Sequence, residues 1–110
     1  MMNEQPNLEY ITQLAQNSPE YKERILNIIK AEFPQEKIQF FDAYQAKDYT
    51  LAAEMTHKLK HKINIFGLAQ GYEIARDFEN QLKEKETTLY PKFCLILEQI
   101  TTYLLAIWRV

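Results

Sequence analysis

From Phe93 onward the apolar residues Phe93, Leu97, Ile100, Leu104 and Ile107 follow one another at intervals of four, three, four and three. That interval is the turn of an α-helix and not the alternation of a strand, and it describes the seam of a helix packed among other helices. Four earlier blocks repeat the pattern. The first is short, with Leu8, Ile11, Leu14 and Ala15, and Asn7 is placed to cap it. The second opens on Ser18, Pro19 and Glu20, a cap, a first-turn proline and an acid at the positive helix end. Its stripe of Ile25, Ile29, Phe33, Phe40 and Tyr44 keeps phase across Pro34, so one bent helix from about Pro19 to Ala46 is expected rather than two. The third follows Asp48, carries Ala52, Met55, Leu59, Ile63 and Phe66, and ends at Gly67. The fourth runs through Leu68, Tyr72, Ala75, Phe78 and Leu82, and Pro91 opens the fifth.

Only two glycines and four prolines interrupt 110 residues, too little turn punctuation for an all-β fold. The expected architecture is all-α, an antiparallel four-helix bundle in which each long helix buries its stripe against two neighbours and the short first helix caps one end. Ile96 and Tyr103, off the main seam of the fifth helix, offer that cap a surface. The length suits a single domain over residues 1–110. One cysteine, Cys94, forms no intramolecular disulfide and no thiolate cluster, which suits a reducing interior. The segment "MMNEQPNLEY" lacks the apolar core of a signal peptide. The most apolar stretch, "FCLILEQITTYLLAIW", is interrupted by Glu98, Gln99 and two threonines and reads as a buried helix. A cytoplasmic protein with no membrane span is expected.

Net charge is −2 and the pI about 5.7, which argues against a nucleic-acid binder. The positive charge is local. Residues 57 to 62 hold Lys58, Lys60 and Lys62 and no acid, leaving 10 basic against 15 acidic side chains elsewhere. By helical phase His57 lies nearly opposite the apolar stripe of its helix and faces solvent, with Ala53 one turn before it, Lys60 and His61 one turn after, and Asn64 beyond. A solvent-exposed imidazole is mostly neutral at pH 7 and leaves one ring nitrogen free to attack phosphorus. Lys60 is positioned to donate a charge-assisted hydrogen bond to a phosphoryl oxygen. Lys58 and Lys62 point to other sides, either steering an acidic partner or simply solvated.

Glu79 shares the apolar side of the fourth helix, an awkward place for an unpaired carboxylate. Counted from Gly67, His57 and Glu79 stand level to within about 3 Å in an antiparallel hairpin. The carboxylate then either takes the Nδ1 proton of His57, fixing the tautomer that frees Nε2, or pairs with Lys60 or another cation. His57 and His61 also match the i, i+4 spacing of two metal ligands, but no third ligand is evident nearby and lysines flank the pair, so no metal site is assigned.

The order His57, Leu59, Lys60 and Gly67, together with the proline inside the second helix, the segment "AKDYTLAAEMTHKLK" and the pair Phe78 and Glu79, resembles the histidine-containing phosphotransfer (HPt) domains of bacterial multistep phosphorelays. The resemblance covers nearly the whole chain. It implies that His57 is the phospho-accepting residue, Lys60 the phosphate-stabilising one, Glu79 the group that orients the imidazole, and Ala53, His61 and Asn64 the site's flanks. It implies a monomeric phosphocarrier rather than a turnover enzyme, exchanging a phosphoryl group with response-regulator receiver domains and a hybrid sensor histidine kinase. No cofactor is expected of the chain itself; Mg²⁺ and the aspartate come from the partner. His61 stands where such domains usually have glycine, which adds bulk and a donor beside the ring. The alternative is an interaction module that binds receivers without transfer. Docking is expected to use exposed apolar residues near the site, with Ala53 and Ile65 as candidates.

Overall fold

The structure, a computed structural model, describes residues 4–107. Residues 1–3 and 108–110, among them Trp108 at the end of the apolar stretch above, lie outside the described residues. Five helices follow in order: α1 Glu9–Leu14, α2 Pro19–Gln45, α3 Tyr49–Ile65, α4 Ala69–Lys83 and α5 Tyr90–Ile107. Among the described residues there is no strand, and no helix is long and apolar enough to cross a membrane.

The caps explain most of the boundaries. The Ser18 hydroxyl accepts from the Tyr21 N–H at 3.3 Å, and Pro19 takes the first helical position, where its missing N–H costs nothing. Asp48 starts α3 in the same way, accepting from the Leu51 N–H at 3.1 Å. α2 continues through Pro34 as one helix, as its unbroken apolar phase requires. Its 27 residues, about 40 Å at 1.5 Å per residue, set the long dimension of a 43 × 26 × 21 Å molecule.

α3 ends at Gly67, whose φ of +80° is the left-handed conformation that favours glycine. The Gly67 N–H donates to the Asn64 carbonyl at 3.0 Å and the Leu68 N–H to the Ile63 carbonyl at 3.3 Å, the two bonds of a Schellman motif. A Cβ at Gly67 would also stand 2.6 Å from the Asn7 side-chain nitrogen, so Asn7 lies directly against this turn.

Two local expectations need correction. The cap position of α1 is Leu8, which makes no side-chain cap bond; Asn7 instead accepts from the Glu9 N–H at 3.1 Å while its own N–H donates to the Phe66 carbonyl at 2.9 Å. Leu14 is exposed rather than part of the core, which takes Ile11 from this helix and Ala15 from the cap that follows it. The N-terminus of α4, which lacks a local side-chain cap, receives one from a distance: the Glu4 carboxylate accepts from the Gln70 and Gly71 N–H groups at 2.8–3.1 Å.

α3 packs most extensively against α4 and α2, α4 also meets α5, and α5 returns to α2, so the four long helices enclose one core. Phe40 of α2, Phe78 of α4 and Phe93 of α5 are fully buried at its centre, with ring centroids 5.0 to 6.0 Å apart. Stacking of Tyr44 on Tyr90 at 3.9 Å extends this cluster toward the end where α3 begins.

Candidate functional site

His57 lies midway along α3 with its side chain 52% exposed, on the solvent side that the helical phase predicts. Across the α3–α4 contact, Glu79 is buried at 8% exposure. Its two carboxylate oxygens divide their partners. Oε2 lies 3.1 Å from His57 Nδ1, and Oε1 lies 2.9 Å from the Lys60 ammonium. Glu79 therefore makes both of the contacts that the sequence left as alternatives. Lys83, one turn further along α4, adds a third contact at 3.7 Å to Oε2.

A carboxylate only accepts, so Nδ1 of His57 carries the proton and the neutral ring has its lone pair on Nε2. Burial pushes the Glu79 carboxyl upward, but the hydrogen bond and charge of Lys60, then of His57, outweigh it and hold the group below its ordinary value. Glu79 is thus ionised at neutral pH and disposed to stabilise positive charge on the ring it holds.

His61 takes a place beside the reactive nitrogen. Its Nε2 is 3.3 Å from Nε2 of His57, with the rings 4.8 Å apart and nearly perpendicular. Because His57 Nε2 is the acceptor in the neutral ring, His61 is the donor. Burial, and then the charges of His57, Lys60 and Lys62, lower the His61 pKa against the opposing pull of Glu79. Among the described residues, no third His, Cys, Asp or Glu joins the histidine pair as a possible metal ligand.

Other positions differ from the sequence expectation. Lys60 is buried rather than free at the surface: its ammonium is held by Glu79 and lies 5.7 Å from the Tyr72 ring. Lys62 is not a steering charge. It is buried and bridges Glu36 at 3.1 Å and Glu32 at 2.9 Å, tying α3 to α2. Ala53 is only 5% exposed and presents little apolar surface, whereas Ile65 is half-buried at the core's edge. Asn64 is exposed and serves α3 through its carbonyl in the Gly67 turn. Lys58 is exposed and, with Lys47, Lys83 and Lys85, borders a groove of about 690 Å³ that reaches from the start of α3 to His57 and Glu79.

Lys83 was missed in the sequence although its i+4 spacing from Glu79 was readable. The acids that hold Lys62 were not readable, because only the α2–α3 register brings them near.

Acid should weaken the fold in two steps. A group whose folded pKa is depressed contributes stability that is complete above its unfolded pKa and lost as pH falls through the folded one. For His61 the loss begins below about pH 6.5, and for Glu79 below about 4.5. Urea unfolding from pH 7 downward is expected to show stability declining as pH falls. His61→Ala should flatten the upper step and Glu79→Gln the lower; a wild-type curve level from pH 7 to 4 would contradict both assignments.

Compared with family models, with curated proteins and with solved structures, the chain matches none.

Proposed function

We propose that this chain is a histidine phosphotransfer carrier of a multistep phosphorelay, folded as an antiparallel four-helix bundle of α2 to α5 with α1 covering one end. It would act in the cytoplasm as a monomer. The observation that carries the reading is a half-exposed imidazole whose Nδ1 is held 3.1 Å from a buried, ionised carboxylate. That arrangement supports the tautomer with its proton on Nδ1, which leaves Nε2 with the lone pair that nucleophilic attack by imidazole requires.

In the proposed reaction the Nε2 lone pair of His57 forms a bond to the phosphorus of an aspartyl phosphate on a receiver domain. The bond from phosphorus to the aspartyl oxygen breaks, and its electron pair leaves with the restored carboxylate. No proton has to move. The ring keeps its Nδ1 proton and becomes cationic, and Glu79 offsets that charge at hydrogen-bond distance. The reverse step delivers the phosphoryl group to a second receiver.

Transfer through a loose in-line transition state depends on positioning and charge neutralisation. Lys60 would lend positive potential from beneath the ring while holding Glu79 in place, and the exposed Lys58 and Lys83 would supply charge from the groove. The receiver would provide Mg²⁺ together with its aspartate.

Incubation with a receiver phosphorylated on aspartate is expected to move label onto this chain as a phosphoramidate, stable in alkali and lost in acid. Failure of transfer, or a label that survives acid, would overturn the assignment. One observation favours a second reading, an interaction module without transfer: His61 covers the nitrogen that must attack. That reading predicts that receivers bind and no label moves. It ranks second because the 3.1 Å contact of His57 Nδ1 with Glu79 supports the carrier reading.

A further inference from the structure

We propose that His61 is a latch on the phospho-accepting nitrogen, closed in the free protein and opened when a protein donor docks, so that His57 is guarded against small phosphodonors. The proposal rests on the reading of His57 as the phosphoryl acceptor. Its basis is the disposition of the two rings. Nδ1 of His57 is committed to Glu79 at 3.1 Å, which leaves Nε2 as the one nitrogen able to attack. The Nε2 of His61 lies 3.3 Å from that atom, and the His61 tautomer protonated there donates into the same lone pair.

An attacking nitrogen needs the phosphorus about 3 to 3.5 Å away along its lone-pair direction. The His61 ring occupies that approach. Attack therefore has to wait until His61 turns aside, and its exposed side chain has solvent to turn into. A receiver docking over the groove beside His57 brings both the surface that displaces His61 and the phosphoryl group that follows it. A small donor brings only the second.

The latch also has a place to go once the phosphoryl group is attached. Phosphorylated Nε2 no longer accepts, but it carries phosphoryl oxygens that a His61 ring turned aside from Nε2 can reach. An N–H that gave a long, neutral hydrogen bond to nitrogen can then give a charge-assisted one to oxygen, the shorter and stronger kind. The same side chain thus slows loading in the free protein and holds the loaded form. A glycine at this position, one turn beyond the nucleophile, does neither.

The test uses phosphoramidate as the small donor and ring-nitrogen NMR as an independent readout. In the unphosphorylated protein, His61→Ala is expected to shift the His57 Nε2 resonance while Nδ1 keeps its proton; an unmoved Nε2 resonance overturns the latch whatever the phosphoryl chemistry. With phosphoramidate, His61→Ala should load His57 about three to ten times faster than wild type, the loss of one modest hydrogen bond. It should also lose the phosphoryl group faster by hydrolysis. His61→Gln, which restores an N–H donor of similar reach, should return both rates toward wild type. Equal loading by wild type and His61→Ala refutes the latch and leaves the carrier reading standing. No loading of any variant, by phosphoramidate or by a phosphorylated receiver, refutes the carrier reading and the latch with it.

Discussion

Replacing His57 with glutamine is expected to reduce labelling by a phosphorylated receiver to background while leaving the fold intact. The side chain is 52% exposed and contributes little to the core, so stability should change by no more than about 0.5 kcal/mol. Glutamine is the informative choice because its amide N–H can still donate to Glu79, which would otherwise keep a buried charge with one partner fewer. What the substitution removes is the ring nitrogen with its free lone pair. The chain has only two histidines, so any residual phosphohistidine in this variant must be on His61. The double variant His57→Gln, His61→Ala should then carry none. Undiminished labelling of the single variant that vanished in the double one would move the acceptor to His61 and reverse the roles proposed for the pair.

The largest effect on stability is expected from Phe40→Ala. Phe40 is completely buried, and its ring stands 5.1 Å from Phe93, 6.0 Å from Phe78 and 5.9 Å from Tyr44. These neighbours lie on three different helices, so the ring acts as a common anchor for α2, α4 and α5. Truncating it loses the transfer free energy of the ring and leaves a cavity that three helices cannot all close. The cost should be about 4 kcal/mol, or roughly 15 °C in melting temperature for a domain of this size. Since small domains are stable by only about 5 to 15 kcal/mol, this is a large share of the total. A measured loss below about 1 kcal/mol would mean that the aromatic cluster is not the centre of the core. Phosphoryl acceptance offers a useful contrast: His57 and Glu79 lie on α3 and α4, and the variant should still accept label wherever it remains folded.

The helices were legible because each signal for them is local. Ser18 and Asp48 cap the turns that follow them, Gly67 supplies the one backbone conformation that ends α3, and the apolar phase of α2 survives Pro34, so neighbouring residues alone fix these boundaries. His57 was legible as an exposed residue for the same reason. Apart from the Asn7 cap, the readings that failed were those in which a residue's surroundings come from another helix. Lys62 looked like a solvated charge because nothing near it in sequence is acidic, yet Glu32 and Glu36 of α2 enclose it. Ala53 looked like exposed docking surface because it shares a side with His57, but neighbouring structure covers a side chain too short to reach past it.

The site divides along the same line. The sequence by itself determined an all-helical chain, the exposed face on which His57 and His61 stand one turn apart, and the presence of a carboxylate at Glu79 that had to find a partner. Only the tertiary structure decided that Glu79 gives one oxygen to His57 and the other to Lys60, which leaves Nε2 of His57 facing Nε2 of His61 one turn along the same helix. Periodicity fixes the direction in which a side chain leaves its own helix. The partner of a buried charge depends on the register and separation of two helices, which the whole core sets together.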